Sequence, residues 1–169
     1  MKKALMILAM VATTSLWAYG FQVGNQYYNI VDDNEFTVQV AKVSDFWDNP
    51  YQDLTSVNIP ATVNMYGVTY TVVGIEDFAF DKCRNLKHIT LPNTIEHIGS
   101  CAFSNCTSLT SIVIPEGVTS IPDRAFYGCT SLKSITIPNS VKSIGAQAFY
   151  DCSSLSSITI PEGVTIIGP

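Results

Sequence analysis

Basic side chains are scarce in this chain of 169 residues. Nine lysines and arginines stand against 14 aspartates and glutamates, which gives a formal net charge of −5 at pH 7. Nucleic-acid binding needs a basic face that neutralises phosphates, and an acidic chain is repelled by anionic lipid surfaces. The composition therefore predicts no nucleic-acid partner and no electrostatic attachment to a membrane.

Histidine is rarer still, since the chain contains only His88 and His97. Four of the five cysteines lie 23 residues apart, and this spacing offers no ligand pair of the kind that zinc sites use, such as C-x-x-C. Cys101 and His97 could form a nucleophile pair, but no residue supplies an orienting third group or an oxyanion hole. We therefore predict a protein that is not an enzyme and that binds no cofactor or metal.

Long apolar runs are absent after residue 20. Before it, two lysines precede an apolar run over residues 4–18, and Ala18-Tyr19-Gly20 places small residues where a signal peptidase cleaves. A membrane anchor is the alternative, but this run is shorter than the roughly 20 residues that a spanning helix needs. We predict that residues 1–20 are a signal peptide, and that the mature protein begins at Phe21 and is secreted or held at the cell surface without membrane insertion.

A repeat of 23 residues dominates what the sequence does contain. Each unit has an Ala-Phe pair, then a cysteine, a leucine and a proline at fixed distances. The repeated positions are Phe80, Phe103, Phe126 and Phe149; Cys83, Cys106, Cys129 and Cys152; Leu86, Leu109, Leu132 and Leu155; and Pro92, Pro115, Pro138 and Pro161. A fixed period of this length predicts a solenoid of stacked units, because one unit alone cannot bury its apolar face. An elongated binding surface is expected, and a deep catalytic pocket is not.

Residues 106–128 illustrate how one unit folds. Leu109-x-x-Ile112-x-Ile114 alternates like a short strand, which Pro115 ends because proline cannot donate to a ladder. Glu116-Gly117 predicts a turn, where glycine tolerates a positive φ. Val118 and Ile121 predict a second inward-facing segment, and Pro122-Asp123 a tight helical or 3₁₀ turn.

The segment from Leu109 to Cys129 reads L-x-x-I-x-I-P-x-x-V-x-x-I-x-x-x-A-F-x-x-C. This pattern resembles the BspA-type leucine-rich repeat family of bacterial surface and secreted antigens, and the resemblance extends over residues 55–169. It implies a mostly β, right-handed leucine-rich-repeat solenoid with 23-residue coils over residues 75–169, the last repeat incomplete, with a parallel sheet on one face. It also implies adhesion or binding of host and cell-surface proteins, and no enzymatic activity.

Residues 21–74 predict an N-terminal β-hairpin cap that covers the apolar end of the first coil. Gly24-Asn25 and Tyr66-Gly67 are hairpin turn signals between short apolar runs. Residues 35–43 alternate like a strand. Val57-Asn58-Ile59-Pro60 imitates the strand of a repeat.

The cysteines allow two interpretations. Five cysteines in an exported chain suggest disulfides, and neighbours in a column would lie about 5 Å apart, within disulfide reach. However, four of them share one core register with period 23. We therefore favour buried thiols that pack as small apolar side chains, with Cys101 outside that column.

The outward positions of the long strands form a row of small, nearly neutral side chains. They are His88, Thr90, Ser111, Val113, Ser134, Thr136, Ser157 and Thr159. Four strands give a strip ~15–20 Å wide, which can form part of an interface of roughly 800 Å² per partner. Alternatively, serine and threonine only satisfy a solvated sheet face.

A polar loop before the repeats contains the aromatic residues Phe46, Trp47 and Tyr51. Aromatic residues in such a loop can contact carbohydrate or protein; the alternative, which we favour, is that they pack the cap onto the first coil. The neighbouring acids, Asp45, Asp48 and Asp53, fit no EF-hand spacing and are interpreted as solvated loop charges.

These features predict an exported, non-enzymatic, adhesin-like protein that contacts a protein or glycan on a cell or matrix surface. A structural or self-assembling repeat module and a glycan-binding module are the alternatives. Because no residues match Ala148, Phe149 and Cys152 beyond the last unit, we also expect self-association through the C-terminal end.

Overall fold

The computed structural model describes residues 21–32, 34–42 and 50–169, which form strands and tight turns and contain no helix. The N-terminal strands are β1 (Phe21–Val23), β2 (Gln26–Asp32), β3 (Thr37–Val40), β4 (Ser56–Asn58), β5 (Thr62–Met65) and β6 (Val68–Ile75). The repeats contribute β7 (His88–Thr90), β8 (His97–Ile98), β9 (Ser111–Val113), β10 (Ser120–Ile121), β11 (Ser134–Thr136), β12 (Ser143–Ile144) and β13 (Ile166–Ile167). The predicted signal segment lies outside the described residues.

Both predicted hairpins of the N-terminal region are confirmed. Strands β1 and β2 pair antiparallel around Gly24, whose φ is 60°. Strands β5 and β6 pair antiparallel around Tyr66 and Gly67, with φ of 50° and 81°, as a two-residue turn between twisted strands requires. The strand predicted over residues 35–43 is shorter, because Phe36 has a φ of 53° and belongs to the preceding turn.

The N-terminal strands continue directly into the solenoid. Strand β4 pairs in parallel with β7, with Ser56 opposite His88, and β6 pairs in parallel with β8, with Gly74 opposite His97. The boundary predicted between residues 74 and 75 therefore falls within β6. Both strands of the first coil, β7 and β8, thus pair with strands of the cap, so the first coil is hydrogen-bonded to the cap rather than only packed against it.

Two parallel ladders run along the repeats, as the two apolar segments of each unit predict. The first is a four-stranded sheet in the order β11-β9-β7-β4. The second contains β10, β12 and β13, with Ser120 opposite Ser143 and Ser143 opposite Ile166. The solenoid of stacked 23-residue coils is thereby confirmed.

The third side of each coil, here called the turn face, comprises residues 76–82, 99–105, 122–128 and 145–151. The tight turn predicted at Pro122-Asp123 is present as single i→i+3 turns, and these do not continue into a helix or 3₁₀-helix in the described chain. Backbone donors instead alternate: the Ala125 nitrogen donates to the Pro122 oxygen within the coil (3.3 Å), and the Phe126 nitrogen donates to the Ala148 oxygen of the next coil (2.9 Å). Left-handed residues interrupt the helical path every fourth position. They are Phe78, Cys101, Arg124 and Gln147, and Lys82, Asn105, Gly128 and Asp151.

The predicted phenylalanine column forms the centre of the core. Phe80, Phe103 and Phe126 are fully buried, and Phe149 is partly buried. Centroids of successive rings lie 5.4–5.6 Å apart with interplanar angles of 3–7°. The stacked rings thus join the core of each coil to the core of the next along the solenoid.

The column of four cysteines is buried beside these rings, and each of the five cysteines is a thiol rather than part of a disulfide. The favoured interpretation of the cysteines is confirmed. Each later thiol donates a hydrogen bond to the carbonyl of a phenylalanine in the preceding coil: Cys106 to Phe80, Cys129 to Phe103 and Cys152 to Phe126, all at 3.1 Å. Each of these carbonyls also accepts from the backbone nitrogen three residues later, so the thiol is its second donor and links it to the next coil.

Alkaline pH should destabilise the fold through these thiols. Burial raises the pKa of Cys129 from 9.0 to about 12 and that of Cys152 to about 11. The native state therefore keeps its protons after the unfolded state has lost them, so this stability is complete below pH 9 and is lost as pH rises toward 12. The slope is about 1.4 kcal/mol per pH unit for each such thiol. Urea unfolding under reducing conditions at about pH 8 and about pH 11 measures it; Cys129→Ala should flatten the dependence, and an unchanged slope in that variant would contradict the assignment.

Candidate binding surface

The outward side chains of the four-stranded sheet lie together on one exposed surface. His88, Thr90, Ser111, Val113, Ser134 and Thr136 are all exposed. Ser134 lies opposite Ser111, Thr136 opposite Val113, and His88 opposite Ser111. The alternate residues point inward, so that Ile89 and Ile112 are buried. The structure therefore brings these six predicted residues into one surface.

Strand β4 extends this surface by two exposed residues, Ser56 and Asn58. The sequence analysis missed them because the offset between β4 and β7 is longer than the repeat period. The available signal was Val57-Asn58-Ile59-Pro60, which imitates a repeat strand. We call the eight residues the sheet face: Ser56, Asn58, His88, Thr90, Ser111, Val113, Ser134 and Thr136.

The prediction that Ser157 and Thr159 form a further strand of this sheet is wrong. Both side chains are exposed, but residues 151–160 have no strand geometry. Among the described residues, no backbone hydrogen bond joins residues 156–160 to β11 or its flanking residues. A segment at a sheet edge is held from one side only, and without those bonds it does not extend the ladder.

Tyr51 is not a surface residue, so its predicted role in a contact loop is wrong. Its side chain is fully buried, its ring centroid lies 4.9 Å from that of Phe80, and its hydroxyl accepts a hydrogen bond from the Tyr27 nitrogen (2.9 Å). Tyr51 thus continues the ring column into the cap, which is the alternative favoured from the sequence. Phe46 and Trp47 lie outside the described residues.

The charges around the sheet face are unevenly distributed. The sheet face itself contains no ionisable side chain except His88. The exposed bases Arg84, Lys87 and Lys133 lie just before its strands, and we call them the basic rim. Beyond the opposite ends of the strands lie the exposed acids Glu96, Glu116 and Glu162, with Lys142 as the exposed base among them. The sequence analysis missed this rim because it considered only the net charge of the chain.

The turn face carries a shallow groove that the sequence analysis also missed. Tyr127 and Tyr150 stack with centroids 5.2 Å apart, and Arg124 Nε donates to Gln147 Oε1 at 2.8 Å beside them. Phe78 at one end is 41% exposed, and Lys42 Nζ lies 5.2 Å from its ring centroid. The sequence indicated this groove only through positions whose residue type differs from one repeat to the next, within units whose other positions are constant.

The candidate chemistry of Cys101 and the histidines does not converge. His88 lies in the four-stranded sheet and His97 in β8, which pairs with β6 of the cap, so the two histidines lie in different sheets. Burial raises the pKa of Cys101, so its thiol stays protonated at neutral pH and is a poor nucleophile. No group of three or more potential metal ligands occurs among the residues that the structure describes.

The predicted self-association through the C-terminal end stays a prediction. Ile166 and Ile167 of β13 are exposed by 64% and 62%.

Within the described ranges, no helix has the length and apolar character needed to cross a membrane.

Comparisons with known proteins agree with this architecture. Residues 73–169 match the BspA type leucine rich repeat region in six copies, whereas no curated protein matches the chain. A leucine-rich repeat protein from Bacteroides ovatus is 40% identical over 89% of this chain, with a TM-score of 0.79. The leucine rich repeat protein of T. pallidum is 28% identical over 88%, with a TM-score of 0.70. A leucine rich cell surface protein from Faecalibacterium prausnitzii is 27% identical over 93%, with a TM-score of 0.51.

This chain spans 37%, 64% and 52% of the lengths of those three proteins, respectively. The repeat match covers more than half of the chain. It coincides with the coils whose phenylalanine, cysteine and leucine columns are buried in the structure. The chain belongs to the BspA-type leucine-rich repeat family.

Proposed function

We propose that this protein is an exported, non-enzymatic, adhesin-like binding protein that contacts a host or cell-surface macromolecule through the sheet face. The observation that carries the proposal is the sheet face itself: eight small or neutral side chains, exposed on four hydrogen-bonded strands. Such a surface is flat and continuous, as a macromolecular partner requires.

The sheet face suits binding because its residues lose little conformational entropy when a partner covers them. Parallel ladders fix its backbone, and serine and threonine side chains have few rotamers to lose. Each hydroxyl can donate one hydrogen bond and accept others. The same residues would be a poor catalyst, because no titratable group faces another across this surface.

Export is supported by two independent features. The sequence of residues 1–20 predicts a signal peptide. The similar protein from Faecalibacterium prausnitzii is described as a cell surface protein. An exported protein with a neutral, exposed sheet is suited to contact other surfaces outside the cell.

The turn face is the alternative contact surface. Tyrosine and arginine are the residue types that most often dominate protein interfaces, and Arg124, Tyr127 and Tyr150 line its groove. A self-assembling repeat module is the other alternative function. Each predicts a different surface to be covered on binding.

Replacing two residues in the middle of the sheet face should separate these alternatives. Ser134→Glu with Thr136→Glu places two larger charged side chains on β11, so we expect binding to fall by about tenfold or more, while stability changes by about 0.5 kcal/mol or less at each exposed site. Purified protein applied to an array of matrix proteins and glycans, followed by titration of the positives, measures the loss.

Thr119→Glu with Ser120→Glu is the matched control, because both residues are exposed at the other sheet. It adds the same charge and should leave binding intact. If the Ser134→Glu, Thr136→Glu variant still binds the partner and Tyr127→Ala does not, the contact surface is the turn face and not the sheet face. A protein that binds only copies of itself would overturn the proposed function.

A further inference from the structure

We propose that the sheet face binds an acidic polysaccharide, whose sulfate or carboxylate groups are held by the basic rim and whose hydroxyls are held by the sheet face. This inference rests on the proposed function and specifies the chemical class of the partner. The starting observation is that three of the seven lysines and arginines after residue 20 lie on this one edge: Arg84, Lys87 and Lys133.

Backbone hydrogen bonds fix the spacing of the rim. The Thr110 nitrogen donates to the Lys87 oxygen (3.3 Å), and the Lys133 nitrogen donates to the Thr110 oxygen (2.9 Å). Lys87 and Lys133 therefore occupy the same position two coils apart, about 10 Å from each other at ~4.8 Å per strand. Two exposed lysines whose backbone positions are held at a fixed spacing match a chain whose charges repeat along its length.

The rest of the chain sharpens this contrast. The turn face carries Glu76, Asp77, Asp81, Asp123 and Asp151. The far ends of the strands carry three acids, and the exposed Asp53 precedes β4, the strand that pairs with β7. Exposed charges separated by more than about 8–10 Å are screened at physiological ionic strength, so the local rim and not the net charge decides which groups this edge attracts.

The residue types of the sheet face favour a polysaccharide over other polyanions. No phenylalanine, tyrosine or tryptophan lies on it, and His88 is its one ring, whereas single-stranded nucleic acid is held largely by stacking of successive bases on aromatic rings. The same absence, with Val113 as the one sizeable apolar side chain, leaves no anchor of the kind that dominates protein interfaces. Serine, threonine and asparagine side chains can both donate to and accept from sugar hydroxyls.

Removing the two rim lysines tests the proposal. We expect Lys87→Gln with Lys133→Gln to weaken binding of a heparin-derived hexasaccharide about tenfold or more in calorimetric titration, and to reduce the dependence of the affinity on salt between about 50 and 200 mM. Arg124→Gln with Lys142→Gln removes the same charge elsewhere and should leave the affinity unchanged. Equal weakening by both pairs would overturn the proposal in favour of unspecific attraction.

Two added arginines distinguish this inference from the proposed function. Ser134→Arg with Thr136→Arg should preserve or strengthen hexasaccharide binding, since it adds positive charge next to the rim, whereas a protein partner would be blocked. A different outcome is that the protein fails to bind the hexasaccharide and binds a matrix protein, with that binding lost in the Ser134→Glu, Thr136→Glu variant. This result would overturn the polysaccharide inference and leave the proposed function standing. Equally tight binding of single-stranded DNA through the same lysines would also overturn it.

Discussion

Phe103→Ala should reduce the free energy of unfolding by about 3–5 kcal/mol, the cost expected for truncating a buried aromatic ring. Phe103 is fully buried, and its ring stacks on Phe80 at 5.5 Å and on Phe126 at 5.4 Å. Its removal leaves a cavity that both neighbouring coils line. Because a solenoid is coupled mainly between neighbours, this change should also make unfolding less cooperative. Urea unfolding followed by circular dichroism measures both effects.

Phe78→Ala is the matched control for this prediction. Phe78 directly precedes the Ala-Phe pair of the preceding coil, but it is 41% exposed, and Lys42 Nζ lies 5.2 Å from its ring centroid. Its truncation should cost about 1 kcal/mol or less, since it removes a partly exposed cation–π contact and little buried area. Similar losses in the two variants would show that the ring column is not the main connection between the coils.

Gly145→Ala should destabilise the protein by about 1–3 kcal/mol, the usual cost of overpacking. A Cβ at this position would lie 2.5 Å from the Asp123 nitrogen and 2.7 Å from the Pro122 carbonyl carbon, both in the preceding coil. The coils would have to separate, which weakens the bonds from the Gly145 nitrogen to the Ile121 oxygen and from the Ala146 nitrogen to Asp123 Oδ1, each 2.7 Å. Thermal and urea unfolding measure the loss.

Gly163→Ala provides the comparison for Gly145. The nearest atom to a Cβ at Gly163 is Lys142 Nζ, at 2.9 Å, and this flexible side chain can move away. We therefore expect a change of a few tenths of a kcal/mol. Should Gly145→Ala be as mild as Gly163→Ala, close stacking of the turn faces would not be what requires glycine there.

The repeat made the architecture predictable because its period constrains several residues at once. Phe126, Cys129 and Leu132 had to be buried together, and each is fully buried in the structure. The conformation of the turn face could not be predicted in the same way. Arg124 has a φ of 54° that its residue type does not suggest. Hydrogen bonds between coils hold this conformation, and they become visible only when the coils are stacked.

Gly117 is required for a different reason than the backbone conformation that the sequence suggested. The predicted turn is present at Glu116-Gly117, but it does not use the positive φ that glycine tolerates: the left-handed glycines of the described residues are Gly24, Gly67 and Gly128. At Gly117 a Cβ would lie 2.7 Å from the Ile95 oxygen of the preceding coil. Glycine is required there because the neighbouring coil lies too close for a Cβ. This distance between coils cannot be inferred from the sequence of a single unit.

The candidate site was predictable in its pattern but not in its limits. Alternation along each strand placed Ser111 and Ser134 outward, and both are exposed. The extent of the sheet depends on pairings outside the repeat: β4 adds Ser56 and Asn58, whereas Ser157 and Thr159 lie outside it. The basic rim became visible only when the stacked coils placed Lys87 and Lys133 at the same position, two coils apart.

The position of a bound ligand on the protein tests the central claim most directly. Backbone amide resonances recorded during titration with a heparin-derived hexasaccharide should shift at the basic rim and along β7, β9 and β11, and should stay unchanged in β10, β12 and the turn face. Shifts confined to the turn face around Tyr127 and Tyr150, or to the second sheet, would contradict a binding function located on the sheet face.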